Sequence, residues 1–173
     1  MNTMREMEVY MSGIIKRVEP VIDYSVRGLC VKEYPGHKKG CPNFNHKDGC
    51  PPNALLFDKV YDLSKPVYAI INNFDFKSHV DKMRKLHPEW SDRQCECCLY
   101  WQPGARKQLF EGIKKFLTYN DKGYFKQGYR VEKCPEAMGV EITKTLSKAG
   151  INLEWPPVNT AYQVALAAIP VKS

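Results

Sequence analysis

The sequence predicts an α+β fold: a single compact metal-binding domain over residues 1–173, with a small mixed sheet, helices packed on it and a long cysteine-rich ligand loop. Three features lead there. Strand-like apolar runs and helical stripes follow one another without strict βαβ alternation. The 173 residues fit one domain, and no repeat, low-complexity tract or linker divides them. A hydrophobic content of 43% with 12% aromatics is enough to build a core and excludes a disordered chain.

The elements run in order. Met4 to Arg17 has mixed helical character, and Pro20 to Arg27 alternates as a strand does. From Gly28 to Pro52 no periodicity survives, and Gly36, Gly40, Gly49 and several prolines mark a long loop. Asn53 to Leu63 reads as a short helix, with Asn53 as N-cap and Leu55, Leu56 and Val60 inward. Val67 to Phe74 is a buried strand. Asp75 then caps a helix with Phe76, Val80 and Met83 on one face. Ser91 starts the longest helical stretch, which Pro103-Gly104 should kink or restart. Beyond it Ala105, Leu109, Ile113, Phe116 and Leu117 form an inward stripe. Asn120 to Lys133 holds a turn and a short strand. Pro135 opens a helix to Ala149, stopped by Gly150. Its buried stripe is Met138, Ile142, Leu146 and Ala149. Leu153 to Pro157 is extended, and Tyr162 to Ile169 is a final central strand.

No run approaches the roughly 20 apolar residues that span a bilayer, and no signal-peptide h-region follows Met1. The expectation is a cytoplasmic chain with no membrane association. A reducing compartment makes a disulfide framework unlikely for seven cysteines, an odd number. The net charge of +7 permits an anionic partner such as nucleic acid without requiring one.

Between Leu29 and Pro52 stand Cys30, Cys41, Cys50, His37 and His46, and both Cys41 and Cys50 precede proline. A further Cys-Pro step is Cys134-Pro135. Soft thiolates select zinc, copper(I) or iron–sulfur clusters. Zinc sites bring ligands in tight Cys-x2-4-Cys knuckles, which neither Cys41…Cys50 nor Cys95-x-Cys97-Cys98 provides. A cluster is larger than an ion and accepts ligands from separated loops, and Cys-Pro is a familiar ending of cluster-binding runs. Proline stiffens the ligand loop and removes a donor. The expected ligands are Cys30, Cys41, Cys50 and Cys134. Cys98 stands as a substitute or extra ligand, and Cys95 or Cys97 could serve instead. His46 is the best histidine if the metal is zinc.

Gly40-Cys41-Pro42-Asn43-Phe44, Cys50-Pro51-Pro52, Pro135-Glu136-Ala137-Met138-Gly139-Val140 and Gly150-Ile151-Asn152-Leu153-Glu154-Trp155-Pro156-Pro157 carry a resemblance. Together they resemble an uncharacterised family of predicted metal-binding proteins, from about Cys30 to the last strand. The resemblance implies cysteine-based metal binding and no particular reaction. Cys95-Glu96-Cys97-Cys98 departs from the more widely spaced cysteines of that pattern.

No P-loop, Gly-x-Gly-x-x-Gly turn, nucleophile elbow or His-Glu-x-x-His helix is present. Cys97-Cys98 could form a redox dithiol if Arg93 lowered a thiol pKa, but a buried or ligating role is the commoner outcome. Tyr100, Trp101, Arg106 and Lys107 combine rings and cations that suit a nucleotide or single-stranded RNA, or a core next to a basic helix face. The sequence thus predicts a cysteine-ligated protein carrying a 4Fe-4S cluster, for electron transfer to a redox partner or for activating a small molecule. The alternative is a structural zinc protein whose basic surface binds nucleic acid or a protein partner.

Overall fold

The computed structural model describes residues 14–33, 38–121 and 128–172. Strands β1 (Ile14–Val18), β2 (Val67–Asp75), β3 (Arg130–Glu132) and β4 (Thr160–Ala168) form one sheet in the order β1-β2-β4-β3. Every pairing is antiparallel: Ile15 lies opposite Ile70, Ile70 opposite Ala165, and Val131 opposite Ala167. The fold is α+β, and the sheet is antiparallel rather than mixed. The connections from β1 to β2 and from β3 to β4 each return the chain against its neighbour, so no parallel crossover is made.

Helices or loops cover both faces of the central pair, which is why β2 reads as a nearly continuous apolar run. On one face Ile15, Ile70, Ala165 and Ala167 pack with Leu109 and Phe116 of the long helix α4 (Cys98–Asp121). On the other, Ala69, Ile71, Leu166 and Ala168 pack with Phe57 of α1 (Phe57–Val60), with Met138 and Val140, and with Ile142 and Leu146 of α5 (Ile142–Lys148). A third cluster joins Phe76 and Val80 of α2 (Phe76–Leu86) to Cys95 of α3 (Asp92–Cys95) and Ala161 of β4. The buried Asn72 amide of β2 donates to the Ala105 carbonyl of α4 at 3.0 Å and ties helix to sheet. No helix among the described residues is long and apolar enough to cross a membrane.

Several expectations hold. Asp75 caps α2 by accepting from the Ser78 amide, and the Phe76 and Val80 face is buried. The stripe along α4 faces the sheet, and β4 is central. Others need correction. Ile14–Val18 is a strand, not the end of a helix, because pairing with β2 buries Ile15 on one face of the sheet and Val18 on the other. The rest of Met4–Arg17 lies outside the described residues. The second half of the expected strand at Pro20–Arg27 is a 3-10 helix, Tyr24–Val31, capped by the Asp23 carboxylate, and of the first half Ile22 makes an isolated bridge to Val140. The 53–63 helix shrinks to α1 with Leu56, not Asn53, as N-cap; Phe57 is fully buried while Leu55 is 69% exposed. The break in the long helical stretch falls at Glu96–Cys97, and α4 runs through Pro103. Proline's missing donor there concerns the Leu99 carbonyl in an exposed first turn, where water can serve. The expected helix from Pro135 to Ala149 is two pieces: a 3-10 helix, Pro135–Met138, ends at left-handed Gly139 (φ 87°), and α5 comes after it.

That division has a purpose in the packing. Gly139 lies under the Tyr24 ring, where an added Cβ would come within 2.6 Å of the ring edge. Around it the chain forms a short seam: the Asp23 amide donates to the Gly139 carbonyl at 2.9 Å and the Glu141 amide to the Val21 carbonyl at 2.8 Å. The fully buried Thr145 hydroxyl closes the seam. It accepts from the Val21 amide at 2.9 Å and donates to the Glu141 carbonyl at 2.7 Å. The isosteric Thr145→Val should therefore strand the Val21 amide and destabilise the fold by about 1–3 kcal/mol in urea denaturation, whereas Thr145→Ser should cost less.

Candidate metal centre

The seam sets the two 3-10 helices against each other, and each carries a candidate thiol. Cys30 lies in the last turn of Tyr24–Val31, and Cys134 is the N-cap of Pro135–Met138. Proline at the first helical position suits a residue whose amide would have no partner there.

The loop brings the other two thiols by backbone contacts. The Cys41 amide donates to the Cys30 carbonyl at 2.7 Å. Gly40 makes that approach possible: its φ is 79°, and a Cβ there would fall 2.6 Å from the Cys30 oxygen and 2.9 Å from Val31 backbone atoms. Phe44 then donates to Cys41, and Cys50 to Lys47, in successive turns. The Asn45 amide reaches back to the Pro51 carbonyl at 2.8 Å. Arg27, one turn before Cys30, donates from Nη2 to the carbonyls of Pro52 and Ala54, both at 2.9 Å. Tyr24 donates to the Asp58 carboxylate and anchors the helix to α1. Arg27 thus clamps the Cys50-Pro51-Pro52 segment to the element that carries Cys30.

Two of the thiols have shifted proton affinities. Burial pushes the Cys30 thiol above its ordinary range, and the neighbouring Cys41, Cys50 and Glu136 push it further, with Arg27 opposing. Burial also raises Cys134, followed by Glu136 and Cys50, with Lys133 and Arg106 opposing. The Glu136 carboxyl is itself raised by burial. Cys134 and Glu136 both keep accessible surface. The Arg27 Nε is buried and has no hydrogen-bond partner among the described residues, and the Gly40 cradle leaves no room for a side chain.

Cys30 thus lies within charge-interaction range of Cys41, Cys50 and Glu136, and Cys134 within that of Glu136 and Cys50. Among the described residues, no group of three or more Cys, His, Asp or Glu side chains is arranged to hold a single metal ion. Cys98 opens α4 at the surface, and no contact or charge interaction among the described residues ties it to the other four thiols. Cys95 is fully buried against Phe76, Val80 and Ala161, the small-hydrophobe role of an ordinary core cysteine. Cys97 is half-buried in the link between α3 and α4. His46 is exposed on the loop, and His37 lies outside the described residues. Sequence reasoning passed over Arg27 and Glu136. An arginine one turn before a candidate thiol and a glutamate directly after Cys-Pro were legible, but their partners are distant in the chain.

Two measurements check this geometry. Gly40→Ala should destabilise the chain by more than about 1 kcal/mol, because the left-handed backbone and the Cys30 contact both resist a Cβ. Gly49→Ala, with open space around it, should stay within about 0.5 kcal/mol. In the metal-free chain, alkylation of Cys134 followed by peptide mass spectrometry should be slow near neutral pH. It should rise roughly tenfold per pH unit to beyond pH 9, since only the thiolate reacts and its pKa is raised; a plateau near pH 8 would contradict the assignment. The chain matches no protein-family model, and no curated protein and no solved structure matches it.

Proposed function

We propose that the chain carries a cysteine-ligated 4Fe-4S cluster, with Cys30, Cys41, Cys50 and Cys134 as its ligands, and that it serves electron transfer. The observation that supports this reading is that Cys30 and Cys134, from different segments, each lie within charge-interaction range of Cys50 and Glu136, and Cys30 of Cys41 as well, while the Cys41 amide closes on the Cys30 carbonyl. The donor set is soft and anionic, which suits iron–sulfur chemistry. Ligands of one zinc ion, at about 2.3 Å from the metal, would crowd within roughly 4 Å of each other. A cluster, being larger, takes ligands from separated segments.

When bound, a fully thiolate-ligated cluster supplies one-electron transfer. The chain's own residues would do the rest. Arg27 offers its unpartnered Nε–H to the negative charge of the centre while its Nη2 holds the Cys50 segment in place. Gly40 lets the Cys41 backbone close on Cys30 without a side chain in the way. Hydrogen bonds and nearby charge of this kind tune a cluster's potential. Cys134, exposed and flanked by Lys133 and Arg106, would be the edge nearest a redox partner. The motif resemblance to predicted metal-binding proteins supports the same reading.

Anaerobic purification with iron and sulfide analysis tests it. The expected result is a brown protein with about four iron and four acid-labile sulfide per chain. A colourless protein holding one zinc would sink the cluster in favour of a structural zinc site. Cys134→Ser should lose most of the iron, and unchanged iron would remove that residue as a ligand. Cys98→Ser should leave the content unchanged.

A further inference from the structure

His87, Trp90 and Tyr100 form a ladder of rings that the metal centre does not use. The His87 and Trp90 centroids lie 3.9 Å apart with planes 9° from parallel; Trp90 and Tyr100 stand at 5.1 Å and 27°. Trp90, the middle rung, packs on the cluster of Phe76, Val80, Cys95 and Ala161, so the ladder is fixed to the core. Its end rungs are not covered. Tyr100 is 53% exposed and the His87 side chain 39%, with the Glu89 carboxylate 3.6 Å from the His87 Nδ1, so the Tyr100 end is the one offered to an anionic strand. Trp101 does the opposite: it stacks on Phe74 at 5.5 Å, sets its edge to Phe76, and belongs to the core. The adjacent rings Tyr100 and Trp101 thus divide between surface and interior.

Three near-parallel rings with an open terminal face present a surface on which a further planar group can stack. The cations farther along α4 narrow the class of that group. Helical spacing puts Lys107 and Lys114 on the face that begins at Tyr100. Gly104 lies between, with open space where a side chain would be. Both lysines are exposed or half-exposed, and neither is in an ion pair among the described residues. Glu111 shares the strip and leaves it net positive, in keeping with a whole-chain charge of +7. From Tyr100 to Lys114 the strip is about 21 Å long. That exceeds one nucleotide and suits several successive phosphates. A stacking platform joined to a track of cations is the chemistry of sequence-tolerant single-strand binding.

We propose that this face of the molecule binds single-stranded nucleic acid. One base stacks on the outer face of Tyr100, and the phosphate backbone tracks Lys107 and Lys114. The site lies apart from the four thiols, and its proposal does not depend on the metal reading. The test is fluorescence anisotropy, with the full chain at low salt, of a labelled uridine strand about 12 nucleotides long and of a duplex of the same length. The strand should bind more tightly than the duplex, with affinity falling as salt rises. Tyr100→Ala should weaken strand binding about tenfold while Tyr100→Phe stays within about twofold, since the ring and not the hydroxyl does the stacking. Lys107→Gln should reduce the slope of log affinity against log salt by about one. Thermal melts of each variant exclude unfolding as the cause. Absence of binding at low salt would overturn the proposal, as would equal binding by Tyr100→Ala, or a preference for duplex. Poly-glutamate bound with the same dependence on Tyr100 would also overturn it and assign the ladder to an acidic protein.

Discussion

The short seam between Val21–Asp23 and Gly139–Glu141 governs how the rest of this chain is arranged. It joins segments more than a hundred residues apart by two backbone hydrogen bonds and the Thr145 hydroxyl. Each group in it would otherwise be a polar atom buried without a partner, which is costly. Gly139 gives the seam its shape, because the residue there must be left-handed and must lie against the Tyr24 ring. With the seam closed, the two 3-10 helices have one relative position, and so do the thiols they carry.

The sheet supports this from beneath. One face of β2 and β4 is taken by the long helix α4, whose apolar stripe and Asn72 contact hold it flat on the strands. The opposite face is left to shorter pieces, α1, α5 and the second 3-10 helix, which pack on Ala69, Ile71 and Leu166. Short elements leave room for irregular backbone, and the cysteine loop lies among them. The loop's order comes from contacts and not from periodicity: Arg27 on two carbonyls, Gly40 against Cys30, Asn45 against Pro51. Charge does not hold it together. Cys41, Cys50 and Glu136 raise the proton affinity of Cys30, and Glu136 and Cys50 that of Cys134, so ionising either thiol is unfavourable until a cationic centre occupies it.

Much of the fold was legible wherever a residue's neighbours are close in the chain. The Asp75 cap needs only Ser78, the stripe on α4 repeats every helical turn, and β2 and β4 announce themselves as apolar runs. Reading failed where a distant partner overrides local preference. β1 is a strand because β2 lies beside it, and Tyr24–Val31 is helical because Asp23 caps it and Gly139 receives it. Pro103 reads as a breaker from sequence alone, since its missing donor has no known surroundings; in the fold it sits in an exposed turn. The aromatic ladder shows the same limit. Tyr100 and Trp101 are adjacent and chemically alike, and only the packing sends one outward and one inward.

Composition and spacing were enough to establish the α+β class, the single domain, and the residue types of the candidate centre: thiols placed before prolines in a loop without periodicity. These are local properties of the chain, readable without knowing its partners. Which thiols come within charge-interaction range was settled by packing across the fold. Cys134 is 84 residues from Cys50, yet Cys50 lies near enough to raise the Cys134 thiol, while Cys95, far nearer in sequence, is buried in a separate cluster. The physical reason is that backbone groups buried between the two 3-10 helices must find hydrogen-bond partners, and the chain satisfies them only by bringing those helices together.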